Sequence, residues 1–108
     1  MSPLLQLQQK FTRLLPRLYD YIHTNGWECT QAEGTNLEHV GHMAHSLHYL
    51  ALAQDLNLFV GGVWQTKDCP EWQSIGAYWL TLDPDCRWGG KFTSVDLDHF
   101  SLTFGGLQ

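Results

Sequence analysis

The stretch Ser46-Leu47-His48-Tyr49-Leu50-Ala51-Leu52-Ala53-Gln54-Asp55-Leu56-Asn57-Leu58-Phe59-Val60-Gly61-Gly62-Val63-Trp64-Gln65 decides the fold. Gly61-Gly62 between two apolar runs is a hairpin signal, because tight two-residue turns need positive φ. It joins Asn57-Leu58-Phe59 to Val63-Trp64-Gln65 as antiparallel strands. Upstream, residues 45–50 and 53–59 both read as extended segments.

Working outward toward the N-terminus, residues 32–43 hold two glycines among mixed polar residues and read as loop or partial helix. Residues 27–31 form a short candidate strand. Residues 3–23 read as an amphipathic helix. Leu4, Leu7, Phe11, Leu14, Leu15, Leu18, Tyr19 and Ile22 recur at three- and four-residue spacing and make one apolar stripe. Ser2 suits the cap and Pro3 the first helical position. Pro16 is expected to interrupt or kink this helix, and Asn25-Gly26 to end it. Lys10, Arg13, Arg17 and Asp20 read as its solvated face.

Toward the C-terminus, Pro70 opens a second helix over residues 71–82, bounded by Asp83-Pro84. Arg87-Trp88-Gly89-Gly90 reads as an irregular loop. Residues 99–104 alternate as a last strand, and Gly105-Gly106 is expected to loosen the C-terminus. The sum is α+β: a small single domain over residues 1–108, with a mainly antiparallel sheet and flanking helices. At 108 residues there is no room for two separately folded units.

Composition excludes several roles. The chain is 44% hydrophobic and 13% aromatic, which argues against disorder. Eleven acidic against six basic residues give a net charge of −5, with no basic stripe to neutralise phosphates, so nucleic acid is not the expected ligand. No run reaches the roughly 20 apolar residues of a membrane span. The charged N-terminal helix does not read as a signal peptide, so synthesis in the cytoplasm is expected. Cys29, Cys69 and Cys86 form no CxxC motif and read as reduced, structural thiols.

Four of the six histidines, His39, His42, His45 and His48, are spaced by three. On a helix they would form a multi-histidine metal face, but Gly41 and its surroundings disfavour a helix. His39 and His42 read more simply as surface or packing residues. His48 differs, because Asp55 follows seven residues later with small residues between. A strand, a turn and a second strand would bring both side chains together. A neutral imidazole and a carboxylate suit zinc, although this spacing alone is a common one.

Ser46, His48, Ala53 and Asp55 resemble the SxHxxGxAxD signature of the hedgehog-like zinc peptidases. That family includes D-alanyl-D-alanine carboxypeptidases, vancomycin-resistance D,D-dipeptidases and phage L-alanyl-D-glutamate endolysins. Ala51 stands where the signature usually has glycine. The second signature, an acid three residues before a histidine, is matched by Asp96-Leu97-Asp98-His99. Leu56-Asn57-Leu58-Phe59, Gly76-Ala77-Tyr78-Trp79 and the run from Cys86 to Phe92 are similar in order to the phage-type members. The resemblance covers roughly residues 21–106.

This resemblance implies the hedgehog/D-Ala-D-Ala peptidase-like fold, with zinc held by His48, Asp55 and His99. Asp96 would be the catalytic proton carrier, and Asp98 an exposed turn residue. Ser46 would hydrogen-bond a ligand or the substrate backbone. Arg87 and Trp88 would contact substrate, with packing the alternative for Trp88 and Trp79. Gly89-Gly90 would allow a close backbone approach or an ordinary turn. The implied substrate is the stem peptide of bacterial peptidoglycan, cleaved by a monomer acting on the cell wall as an endolysin-like L-alanyl-D-glutamate endopeptidase. Two alternatives are a D-alanyl-D-alanine carboxypeptidase and a catalytically weakened zinc-binding module. The second draws on a departure: family members usually carry an arginine before the first signature, and residues 30–43 contain no Arg or Lys. His42, His45 or Arg87 would have to replace it.

Overall fold

A computed structural model describes residues 1–36 and 46–108. Helix α1 spans Pro3–Thr24, and strand β1 spans Glu28–Gln31. A 3-10 turn over Leu47–Leu50 leads into β2 (Ala53–Val60) and β3 (Val63–Trp64). Helix α2 (Pro70–Leu82) precedes β4 (Cys86–Trp88), a short 3-10 turn (Gly89–Lys91) and β5 (His99–Leu102). The five-stranded sheet runs β1-β2-β5-β4, with β3 also pairing β2. Every pairing between these strands is antiparallel.

Helix α1 starts as its sequence dictates: the Ser2 hydroxyl accepts from the Leu5 N–H at 3.1 Å, and Pro3 occupies the first turn. It ends at Asn25-Gly26, where Gly26 takes φ +82°. The Gly26 and Trp27 N–H groups return to the His23 and Ile22 carbonyls at 3.0 and 3.1 Å, satisfying carbonyls the helix end leaves open. Pro16 does not interrupt the helix, which continues through it. The buried stripe of Phe11, Leu14, Leu18 and Ile22 holds that segment against the core, and this packing outweighs one missing hydrogen bond.

Alternation along β2 decides the layers. Leu56 and Leu58 are buried with Phe100 and Leu102 of β5 beneath the two helices, where Trp72 and Trp79 of α2 pack on the Phe100 ring at 6.2 and 6.1 Å. Asp55 and His99 are cross-strand partners and point to the opposite face. The helices therefore form the core with one face of the sheet, and the other face carries the polar residues.

Three local expectations need correction. Within the segment 45–50 expected to be extended, Leu47–Leu50 is a 3-10 turn, because Ser46 caps it and Ala51 reverses the chain with φ +57°. Arg87-Trp88-Gly89-Gly90 is not an irregular loop. Cys86–Trp88 pairs with β5, burying Trp88 at 1% exposure. Gly105-Gly106 closes the C-terminus rather than loosening it. Both glycines take positive φ, Phe104 bridges Leu107, and the Thr103 hydroxyl bonds the Leu107 carbonyl.

Candidate metal centre

Three elements converge on the polar face of the sheet. His48 comes from the 3-10 turn, Asp55 from β2 and His99 from the first position of β5. Ser46 fixes the first of these: its hydroxyl accepts from the His48 N–H at 3.2 Å and caps the turn. Its described role is thus to shape the backbone carrying His48. The chain after β1 covers the site, because the Asp55 N–H donates to the Glu33 carbonyl at 2.7 Å and the Ala32 N–H to the Asp55 carbonyl at 2.9 Å.

Asp55 Oδ1 lies 3.3 Å from His48 Nε2 and 3.3 Å from His99 Nδ1. This oxygen is buried and makes no hydrogen bond among the described residues. The remaining nitrogen of each ring is engaged by main chain. His48 Nδ1 donates to the Gly34 carbonyl at 2.8 Å, and His99 Nε2 to the Gln108 carbonyl at 3.0 Å. A carbonyl only accepts, so in a neutral ring the proton sits on that side. The nitrogens facing Asp55 then carry lone pairs, and three electron-rich atoms point at one another.

That geometry suits a cation. Two ligands about 2.0–2.1 Å from a tetrahedral zinc stand about 3.3–3.4 Å apart. The 3.3 Å separations match this, and two nitrogens with one carboxylate oxygen are a zinc donor set. Carbonyl anchoring of the outer nitrogens is the usual support for ligating histidines. The residues present therefore fit zinc.

Electrostatics agree. Burial pulls the His48 pKa down, but Asp55, the Gly34 carbonyl and Glu33 together leave it raised. Burial pushes Asp55 up, but the two histidines outweigh it and hold the carboxylate below its usual value. In both cases the site favours positive charge beside Asp55.

A second group of carboxylates borders the first. Asp55, Asp96 and Asp98 each place an oxygen within 4.8 Å of the others. Strand β5 begins at His99, so Asp96 and Asp98 lie in the approach to it and escape strand alternation. The His99 N–H closes this turn on the Asp96 carbonyl at 3.2 Å. Asp98 corrects an expectation, since it is half-buried, while Asp96 is the exposed one. Burial, a hydrogen bond with Asp96 and the charges of Asp55 and Asp96 push Asp98 up to about 8. At neutral pH the Asp96–Asp98 pair thus retains a proton.

Trp88 supports this turn. Buried, it does not face solvent, and its indole donates to the Leu97 carbonyl at 2.7 Å, between the two acids. Trp79 is likewise fully buried, with its indole on the Arg87 and Ser101 carbonyls. Gly89 accommodates a close backbone approach, since a Cβ there would meet the Asp96 carbonyl oxygen at 1.9 Å. The Arg87 guanidinium donates to the Pro84 and Cys86 carbonyls, both at 2.9 Å. His39, His42 and His45 lie outside the described residues.

The sequence reading missed the Gly34 and Gln108 carbonyls, because any residue type supplies a carbonyl. It also missed Phe92, whose ring centroid lies 5.4 Å from that of His99. Gly34 carried a faint signal: a Cβ there would stand 2.7 Å from Gln54 Oε1, so the position favours glycine.

No curated protein gives a significant match to the chain. The family model described as D-alanyl-D-alanine carboxypeptidase matches residues 40–102, which is more than half of the chain and includes His48, Asp55, Asp96 and His99. Peptidases of that family depend on zinc, in keeping with the His-Asp-His group. On this match the chain belongs to the D-alanyl-D-alanine carboxypeptidase family of peptidases.

Proposed function

We propose that the protein is a zinc-dependent peptidoglycan peptidase that hydrolyses stem peptides as an endolysin-like L-alanyl-D-glutamate endopeptidase. The observation that carries the metal-dependent reading is the convergence of His48 Nε2 and His99 Nδ1 on Asp55 Oδ1, each at 3.3 Å, the separation of two ligands on a tetrahedral zinc. The endolysin branch rests on the similarity of residues 56–59, 76–79 and 86–92 to phage-type members.

His48, Asp55 and His99 would hold the zinc. Bound there, zinc supplies Lewis acidity that polarises a peptide carbonyl and makes water more acidic. The protein's own residues manage the proton. Asp96, exposed beside the ligands, accepts a proton from the attacking water at its carboxylate and returns it to the leaving amine. Asp98, with a carboxylate oxygen within 4.8 Å of one on Asp96, keeps a proton within the pair, so one carboxyl group can donate while the other accepts. The Trp88 indole and Gly89 backbone hold the turn from which both project.

The test is mass analysis of purified peptidoglycan after incubation with the zinc-loaded protein. Release of stem peptides that begin at the glutamate residue supports the proposal. Loss of a terminal D-alanine alone assigns the carboxypeptidase reaction instead. Zinc binding with no fragment released assigns the weakened zinc-binding module, which the lack of Lys and Arg over residues 30–43 favours.

A further inference from the structure

A cleft of about 340 Å³ opens beside the Asp96–Asp98 turn and extends away from the metal ligands toward the β2–β3 hairpin. Two of the exposed large apolar side chains line it: Trp64, 57% exposed on β3, and Val95, 63% exposed on the approach to β5. Asn57 and Gln65 lie along it, and Asp96 and Asp98 contribute to the same lining. Among the described residues no lysine or arginine lines it; Lys67, close along the chain, is not part of the wall.

These groups define a ligand chemistry. An exposed tryptophan and a valine bordering a cleft offer an apolar surface and an aromatic face. The Asn57 amide nitrogen is engaged by the Thr30 hydroxyl at 3.2 Å, and that of Gln65 by the Val63 carbonyl at 3.1 Å. Each amide keeps its oxygen as an acceptor and one further N–H, and Thr66 adds a hydroxyl to the lining. With two carboxyl groups that share one proton, and no cation among the described residues lining it, the cleft carries negative charge beside the two amide oxygens. It suits an aliphatic chain ending in an amine: methylenes pack on the apolar walls, and the ammonium meets the acceptors and the indole face. A free carboxylate is poorly matched.

We propose that this cleft is a binding subsite for an alkylammonium side chain, namely the diamino-acid residue of the stem peptide. The proposal rests on the peptidase reading above for its substrate, while the cleft itself is read from the residues lining it. Trp64 is the specificity-determining contact.

The test has a binding arm that needs no turnover. The zinc-loaded protein is titrated with Nα-acetyl-lysine methylamide and, separately, with the norleucine analogue, following indole N–H signals by NMR. The Trp64 signal should shift saturably, with lysine binding about tenfold tighter than norleucine, and Trp64→Ala should abolish that preference. Equal binding of the two, no saturation, or a response only to an N-acetylated sugar would overturn the subsite. In the kinetic arm, stem peptides with lysine or norleucine after glutamate are compared. Wild type should show about tenfold higher kcat/KM for lysine, and Trp64→Ala should lose the difference. If lysine binds at Trp64 but no peptide is cleaved, the peptidase reading fails and the subsite stands. If both peptides are cleaved equally, the reverse holds.

Discussion

Gly89 lies directly against Asp96: the Asp96 N–H donates to the Gly89 carbonyl at 2.9 Å, and a Cβ on Gly89 would stand 1.9 Å from the Asp96 carbonyl oxygen. The obstacle is backbone, which cannot swing aside like a side chain. Gly89→Ala should therefore cost about 1–3 kcal/mol of stability and displace the turn bearing both acids. Chemical denaturation checks the first effect and peptidoglycan turnover the second. Wild-type values for both would show that the turn relaxes freely.

Ala51 is the only non-glycine with positive φ among the described residues, at +57°. A left-handed conformation costs a residue with a Cβ about 1–2 kcal/mol. Glycine avoids this but loses more entropy on folding, by about 0.5–1 kcal/mol. Ala51→Gly should thus stabilise the protein by about 0.5–1 kcal/mol. A denaturation midpoint that stays put or falls would contradict this.

The metal site gives a sharper expectation. His48→Ala, Asp55→Ala and His99→Ala should each lose bound zinc, whereas His39→Ala should keep it. Added zinc should raise the melting temperature of wild type but not of the three variants, because a ligand bound only by the folded state stabilises it. Full zinc content in the His99 variant would remove that residue from the ligand set.

Asp96→Asn should retain zinc and fold while turnover falls by about 10²–10⁴, since its carboxylate is the proposed proton carrier. Asp98→Asn should keep turnover but move the pH–rate profile, because the proton shared with Asp96 is gone. The opposite outcome, with Asp98→Asn inactive and Asp96→Asn active, would exchange the two roles.

Stability without metal should depend on pH in a definite sense. The Asp98 pKa is raised from 3.8 to about 8, so the folded state holds its proton more tightly. Its contribution is full below about pH 4 and lost as pH rises to about 8. His48, also raised, loses its contribution as pH climbs through its folded value. Asp55 is lowered, so its contribution vanishes only as pH falls below the usual carboxylate range. In chelator, the melting temperature should be higher near pH 5 than near pH 9, and Asp98→Asn should flatten the decline. Zinc should act most strongly at the alkaline end, where protons no longer compete for its ligands. A chelated protein that melts higher at pH 9 than at pH 5 would contradict the sign.

Much of this architecture was legible in the residues. The α1 boundaries follow from Ser2, Pro3 and Asn25-Gly26, and the hairpin from Gly61-Gly62, whose φ values are +57° and +78°. These signals are local, so tertiary context does not change them. Residues 47–50 were misread because a short apolar run has no period, and only the Ser46 cap and the reversal at Ala51 separate turn from strand. Cys86–Trp88 was misread because a three-residue strand beside two glycines looks like a loop until β5 pairs with it. The pairing of Asp55 with His99 was reached through motif order; its register was not, because register depends on partners far apart in the chain. The carboxylates divided similarly: the spacing of the second signature singles out Asp96 from Asp98, two residues of the same type, while the burial of Asp98 depends on packing against β2.

The same register has a kinetic consequence. The β2–β3 hairpin closes over two residues, whereas the Asp55–His99 pairing joins strands separated by α2 and β4. Local closure is fast, and distant pairing waits on the entropy of the intervening chain. The hairpin should thus be an early folding unit, and the zinc ligands should meet only when β5 docks. A cation that recognises the docked arrangement cannot hasten the steps before it. Zinc should therefore slow unfolding while leaving the refolding rate nearly unchanged, so that the metal acts as a late latch on a chain already largely assembled.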